Sequence, residues 1–157
     1  MKKYRMTTTL DLLKKHRACP DGYRKLVKSL GTKWPHNKPI NLLRVLESNG
    51  VQDMCWCFRA TVEDSTIPSV LIAADFAQSV LKHFTAKHPN DDRPAKAIQA
   101  ARDLVAGKIT AHAAADAAHA AYAAADAAHA AAHAAHAAAA AKKERRKQAR
   151  IIRKYLR

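Results

Sequence analysis

At 157 residues the chain has the length for one hydrophobic core, and its 28 Lys/Arg against 13 Asp/Glu set a formal charge of +15 and a pI near 10.1. A charge that large exceeds what solubility requires and points to a polyanion or an acidic protein face as partner. An odd count of three cysteines, two of them inside the apolar stretch "MCWCFRA", excludes a disulfide-stapled scaffold and reads as reduced core thiols. The opening "MKKYRMTTTL" has no apolar segment after its basic residues, so no secretory leader is expected and a cytoplasmic location is.

Gly and Pro are scarce and fall between helical patterns. "TTTLDLLKKHRA" offers a Thr cap and a Leu10/Leu13 stripe. "PDGYRKLVKSLG" starts on Pro20, stops at Gly31 and sets Tyr23, Leu26, Val27 and Leu30 on one face. "TKWPHNKP" reads as a loop, "INLLRVLESNG" as a helix closed by Asn49-Gly50, and "VQDMCWCFRATVED" as its helical continuation. "SVLIAADFAQSVLKHFTAKHP" gives a longer helix closed by Pro89, and "RPAKAIQAARDLVAGK" one from Pro94 to Gly107 with Asp91-Asp92 as its start signal. Nowhere do alternating β-branched residues form a strand pattern, so the expected fold is all-α, a bundle of short helices over 1–108 and a long helix over 109–157, together one structural domain.

The last pattern begins near Thr110 and meets no Gly or Pro before the end. An unbroken helix of that length is roughly 70 Å long, against roughly 30 Å for a bundle of the preceding residues. The basic end is therefore expected to project, and the large apolar side chains of residues 10–108 are expected to hold the bundle without it. Along the rod His112, Asp116, His119, Tyr122, Asp126, His129, His133 and His136 recur at spacings of 4, 3, 3, 4, 3, 4 and 3, close to a heptad seam. Two imidazoles at i, i+4 can share a zinc ion, which makes His129, His133 and His136 the candidate ligands. No Cys or catalytic Glu stands at matching spacing, so the stripe is read as a solvated polar band that keeps an alanine helix soluble, and no metal or other cofactor is expected. Alanine is too weakly apolar to carry these Asp and His residues through a bilayer, which excludes a transmembrane helix.

Charge collects at both ends. Residues 1–60 carry 13 Lys/Arg against four acids, residues 61–108 balance at six each, and residues 142–157 hold nine Lys/Arg and one Glu. The candidate binding residues are accordingly Lys142, Lys143, Arg145, Arg146, Lys147, Arg150, Arg153, Lys154 and Arg157 in the tail, with Lys14, Lys15, Arg17, Arg24 and Lys28 near the start. On a helix the tail also brings Ile151, Ile152, Tyr155 and Leu156 together, a small apolar dock. Basic residues flanking Tyr4, Tyr23 and Trp34 suit single-stranded nucleic acid and equally describe an ordinary helix surface. Cys19 with His16, or Cys55 with a distant His, lacks any base or oxyanion signature, so an enzyme is not expected.

Three strings, "HRACPDGYRKLVKSLG", "LLRVLESNGVQDMCWCFRA" and "RPAKAIQAARDLVAGKI", the last leading into the alanine-rich helix, resemble the Imm-5-like immunity domain and related bacteriophage proteins. The resemblance takes in most of residues 10–140, and the basic run after Ala141 lies outside it. It implies a small helical protein that binds rather than transforms, with no catalytic residue to carry over. The leading expectation is a phage-type accessory protein that contacts nucleic acid, RNA or a ribonucleoprotein in host takeover or counter-defence, in the host cytoplasm. The alternative is an immunity or inhibitor protein that binds an acidic host protein without nucleic acid. The sequence carries no signal for an oligomeric state.

Overall fold

A computed structural model of the chain describes residues 3–86, 88–110, 112 and 138–157. The chain divides into two compact units, Met1–Ser69 with Lys147–Arg157 (unit 1) and Val70–Arg146 (unit 2). It is predominantly all-α, as the patterning requires.

Unit 1 opens on a strand pair too short to leave an alternating pattern. Thr7–Thr8 (β1) runs antiparallel to Ile40–Asn41 (β2), Thr7 opposite Asn41 and Thr8 opposite Ile40. Both threonines are buried, so their polar groups must be satisfied inside the protein. Glu63 accepts from the Thr7 N–H at 2.7 Å and from its hydroxyl at 2.8 Å, and the Thr8 hydroxyl donates to the Ala60 carbonyl at 2.5 Å.

Helix starts follow the capping chemistry written in the sequence. Thr9 Oγ1 accepts from the Leu12 N–H at 3.1 Å and begins Leu10–Lys15 (α1). Pro20 opens Pro20–Leu30 (α2), with Cys19 Sγ accepting from the Gly22 N–H at 3.3 Å, and Gly31 at φ 91° ends it. Asn41 Oδ1 accepts from the Leu43 N–H at 2.8 Å and begins Leu42–Asn49 (α3), and Gly50 at φ 97° turns the chain into Val51–Trp56 (α4). The expected continuation through residue 64 stops sooner: α4 tightens into a 3-10 turn, Cys57–Ala60, and leaves the helix at Thr61. Asn49 binds three helices together, its Nδ2 donating to the Gly22 carbonyl at 2.8 Å and to Asp53 Oδ2 at 2.7 Å. A Cβ on Gly22 would lie 2.6 Å from Asp53 Oδ2, so the glycine is what lets α2 and α4 approach. Leu10, Leu13, Leu26, Leu42, Val45 and Met54 fill the space between these elements, each at most 2 % exposed.

The basic tail completes this core. Ala138–Tyr155 forms the last helix (α7), and Ile152, Tyr155 and Leu156 are buried in unit 1. The Tyr4 N–H donates to the Tyr155 carbonyl at 2.7 Å, the Arg157 N–H donates back to the Tyr4 carbonyl at 3.0 Å, and Asn41 Nδ2 donates to the Arg157 carbonyl at 2.9 Å. The expectation that the basic end projects is thereby corrected. Helix length alone suggested a free arm, but an apolar stripe at i, i+3, i+4 gains more by burial than by standing in water.

In unit 2 the helix Thr66–Thr85 (α5) continues from Val70, and Arg93–Val105 (α6) follows it. α5 starts three residues before the predicted Ser69, because Asp64 Oδ1 accepts from the Thr66 N–H at 2.9 Å and the Thr66 hydroxyl at 2.6 Å. These bonds hold the Asp64 carboxyl below the usual range. α6 is started by Asp91, which accepts from the Arg93 N–H at 3.1 Å and from its guanidinium at 2.8 and 2.6 Å, and the Arg93 side chain holds this carboxyl down to about 2. Ile72, Ala74, Phe84, Ala97 and Ile98 are buried here, and Arg102 pairs with Asp75 at 3.1 Å. Of the histidine stripe, His112 is described and exposed, whereas the candidate ligands His129, His133 and His136 lie outside the described residues.

Candidate partner-binding surface

Formal charge is divided unevenly between the two units. Unit 1 holds eighteen of the 28 Lys/Arg and six of the 13 acids, a formal +12 of the chain's +15. Three of its six acids are spent on structure: Glu63 secures β1, Asp64 starts α5 and Asp53 binds Asn49. Asp21 pairs with Arg24 on the exposed face of α2, and Asp11 lies 3.7 Å from His36. Among the described residues Lys15, Arg17, Lys28 and Lys33 make no ion pair. All four are exposed.

The predicted binding residues are only partly brought together. Lys14, Lys15, Arg17, Arg24 and Lys28 fall in unit 1 with Lys147, Arg150, Arg153, Lys154 and Arg157, whereas Lys142, Lys143, Arg145 and Arg146 fall in unit 2. All are exposed except Lys147, which is half-buried. Three lysines lie over aromatic rings, Lys14 Nζ 5.5 Å from the Tyr23 ring centre, Lys38 Nζ 4.3 Å from that of Trp34 and Lys154 Nζ 5.0 Å from that of Tyr155. Those ring faces are thus occupied by the protein's own cations, which disfavours them as platforms for bases.

Arg17 sits at the junction of α1 and α2 with φ 60°, where glycine is the usual residue. The Ala18 N–H donates to the Leu13 carbonyl and the Arg17 N–H to the Lys14 carbonyl, each at 2.9 Å, the two-bond closure that requires a left-handed residue. Arg17→Gly should relieve this strain and stabilise the unit by about 1 kcal/mol while removing a cation from the surface. A denaturant titration checks the first effect, and a fall in midpoint would refute it.

Two concavities flank α2. A shallow groove of about 360 Å³ is lined by Tyr23, Arg24, Val27, Lys28, Gly31 and Thr32. Sequence periodicity placed Tyr23, Val27 and Leu30 on the same face as Leu26, but only Leu26 is buried and the other three remain half-exposed. On the opposite flank a cleft of about 210 Å³ has Cys19, Asn49, Gln52, Asp53 and Cys57 in its wall. Burial pushes the Cys57 thiol up to about 12, with Asp53 adding to the effect, and pushes the Cys55 thiol up to about 11. Neither forms a thiolate nucleophile at neutral pH. Cys19 is exposed. Native protein at pH 7.5 should therefore show one fast thiol with a colorimetric disulfide reagent and three after denaturation, and two or three fast thiols would contradict the shielding of half-buried Cys55 and buried Cys57.

Among the described residues no helix is long and apolar enough to cross a membrane, and no cluster of three metal-ligating side chains occurs. One family profile, described as Imm-5 like putative immunity protein, matches residues 63–151, more than half of the chain. No curated protein and no solved structure matches it. The match contains all of unit 2, including "RPAKAIQAARDLVAGK", and runs through the basic residues after Ala141 to Ile151. Of the three strings that suggested the family, "HRACPDGYRKLVKSLG" and "LLRVLESNGVQDMCWCFRA" precede the match and the third lies inside it.

Proposed function

The chain belongs to the Imm-5 like immunity protein family, and from this premise we propose that it acts by binding, without catalysis, and that its partner is a protein with an acidic face engaged by unit 1. The observation that carries this reading is the concentration of a formal +12 in that unit, with exposed cations that no acid of the described residues neutralises. Such a surface steers an acidic partner into encounter and rejects basic ones. The proposed setting is the cytoplasm. Half-buried Cys55 and buried Cys57, whose thiols stay protonated, are in keeping with a binding role.

A second reading, nucleic acid or a ribonucleoprotein in phage takeover of a host, is favoured by the nine cations of residues 142–157. Affinity capture with and without nuclease separates the two. The acidic-protein reading expects one protein retained after nuclease treatment, and weaker retention by Lys15→Glu/Arg17→Glu. Loss of all retained material on nuclease treatment, with a log–log salt slope of about −3.5 to −4.5 for some five neutralised phosphates, would replace it by the second reading.

A further inference from the structure

The outward face of α2 presents two parallel rows. Tyr23, Val27 and Gly31 follow one another at i, i+4, i+8 and form an apolar row, and Arg24 and Lys28 follow at i, i+4 beside it as a cationic row. Together with Thr32 they line the shallow groove. Tyr23 and Val27 stay half-exposed, the Tyr23 hydroxyl itself lying buried, and Leu26 is the one fully buried side chain of this helix. At its end Gly31 stands in open space, since a Cβ there would meet nothing within 4 Å. Along the cationic side Lys28 has no ion pair among the described residues, and Arg24 has only Asp21, in a pair whose side chains are 74 % and 90 % exposed. A pair that exposed is worth little and yields readily to a competing carboxylate.

Resting on the reading of unit 1 as the surface for an acidic protein, we propose that this groove receives an acidic amphipathic helix of that partner, seating two apolar side chains spaced i, i+4 along Tyr23, Val27 and Gly31 while carboxylates on its flank meet Arg24 and Lys28. Charge complementarity selects this occupant. A basic or neutral helix would leave the cationic row facing no counter-charge, and an extended polyanion without apolar groups would leave the Tyr23–Val27 row in water. The apolar anchors supply affinity and the carboxylates supply register and salt sensitivity.

Displayed random peptides, long enough for four helical turns, are selected on the full-length protein and counter-selected on two variants. Val27→Asp places a charge in the groove floor. Arg24→Glu/Lys28→Glu reverses the row at exposed positions, where folding is undisturbed, and far-UV circular dichroism and melting verify the fold of both. The proposal expects enriched peptides that combine Asp/Glu with two apolar residues at i, i+4, and affinities that fall about tenfold or more on either variant. Acidic peptides without apolar spacing, or binding indifferent to both variants, would overturn the groove and leave the acidic-protein reading of unit 1 standing. Enrichment of peptides with no acidic bias would overturn both.

Discussion

Removing residues 152–157 is expected to unfold unit 1, although none of them belongs to the first sixty residues that supply most of its core. Ile152 and Leu156 are 0 % and 2 % exposed and Tyr155 is 5 % exposed. Emptying sites of this kind costs about 2–5 kcal/mol for each large side chain. The truncation also removes the acceptor of the Tyr4 N–H and the donor to the Tyr4 carbonyl. The combined loss is comparable to the whole stability of a small domain, about 5–15 kcal/mol. Ile152→Ala alone should cost about 3–4 kcal/mol. Replacing the exposed Arg145, Arg146, Arg150 and Arg153 with Gln should change stability by less than about 1 kcal/mol, because surface charges contribute little. Chemical denaturation of the three proteins checks this, and a truncated chain as stable as the full one would show that the tail only leans on the unit.

Glu63→Ala should produce the next largest loss, about 2–4 kcal/mol, through two hydrogen bonds. Its carboxylate accepts both donors of Thr7, a residue 4 % exposed. Alanine leaves a buried N–H and a buried hydroxyl without acceptors, and charge-assisted bonds are the costly ones to lose. Glu63→Gln keeps an acceptor for one donor and should recover part of the loss. Equal destabilisation by Ala and Gln in a urea titration would locate the effect in the charge and not in the bonding.

These two residues mark where sequence reasoning stopped. Helix limits were legible where single residues enforce them: a Thr cap at Thr9, Pro20 and Pro94 as starts, Gly31 and Gly50 as stops; the helix read from Ile40 begins only at Leu42, after the Asn41 cap. The β1–β2 pair was not, because two residues cannot show a period of two, and its main anchor, Glu63, stands 56 positions from Thr7. The tail's apolar stripe was visible, but its partners Asn41 and Tyr4 stand 116 and more positions away, and no local pattern reports a contact of that span. The candidate surface was half legible. Composition named Lys14, Lys15, Arg17, Arg24 and Lys28, while the groove beside them depends on which flank of α2 the core leaves uncovered, and helical period assigned Val27 to the wrong side of that division.

The union of Tyr4 with Tyr155 and Arg157 also sets a timetable for biosynthesis. When Ser69 has been made, α1 to α4 can assemble, yet the place of Ile152 stands empty until the 77 residues Val70–Arg146 and then the final helix have followed. At about 5–20 residues per second the 88 residues from Val70 to Arg157 take roughly 4–18 s. Through it a nascent chain carries a hydrophobic vacancy, so the ribosome-bound intermediate, more than the finished protein, is the species that chaperones have reason to hold.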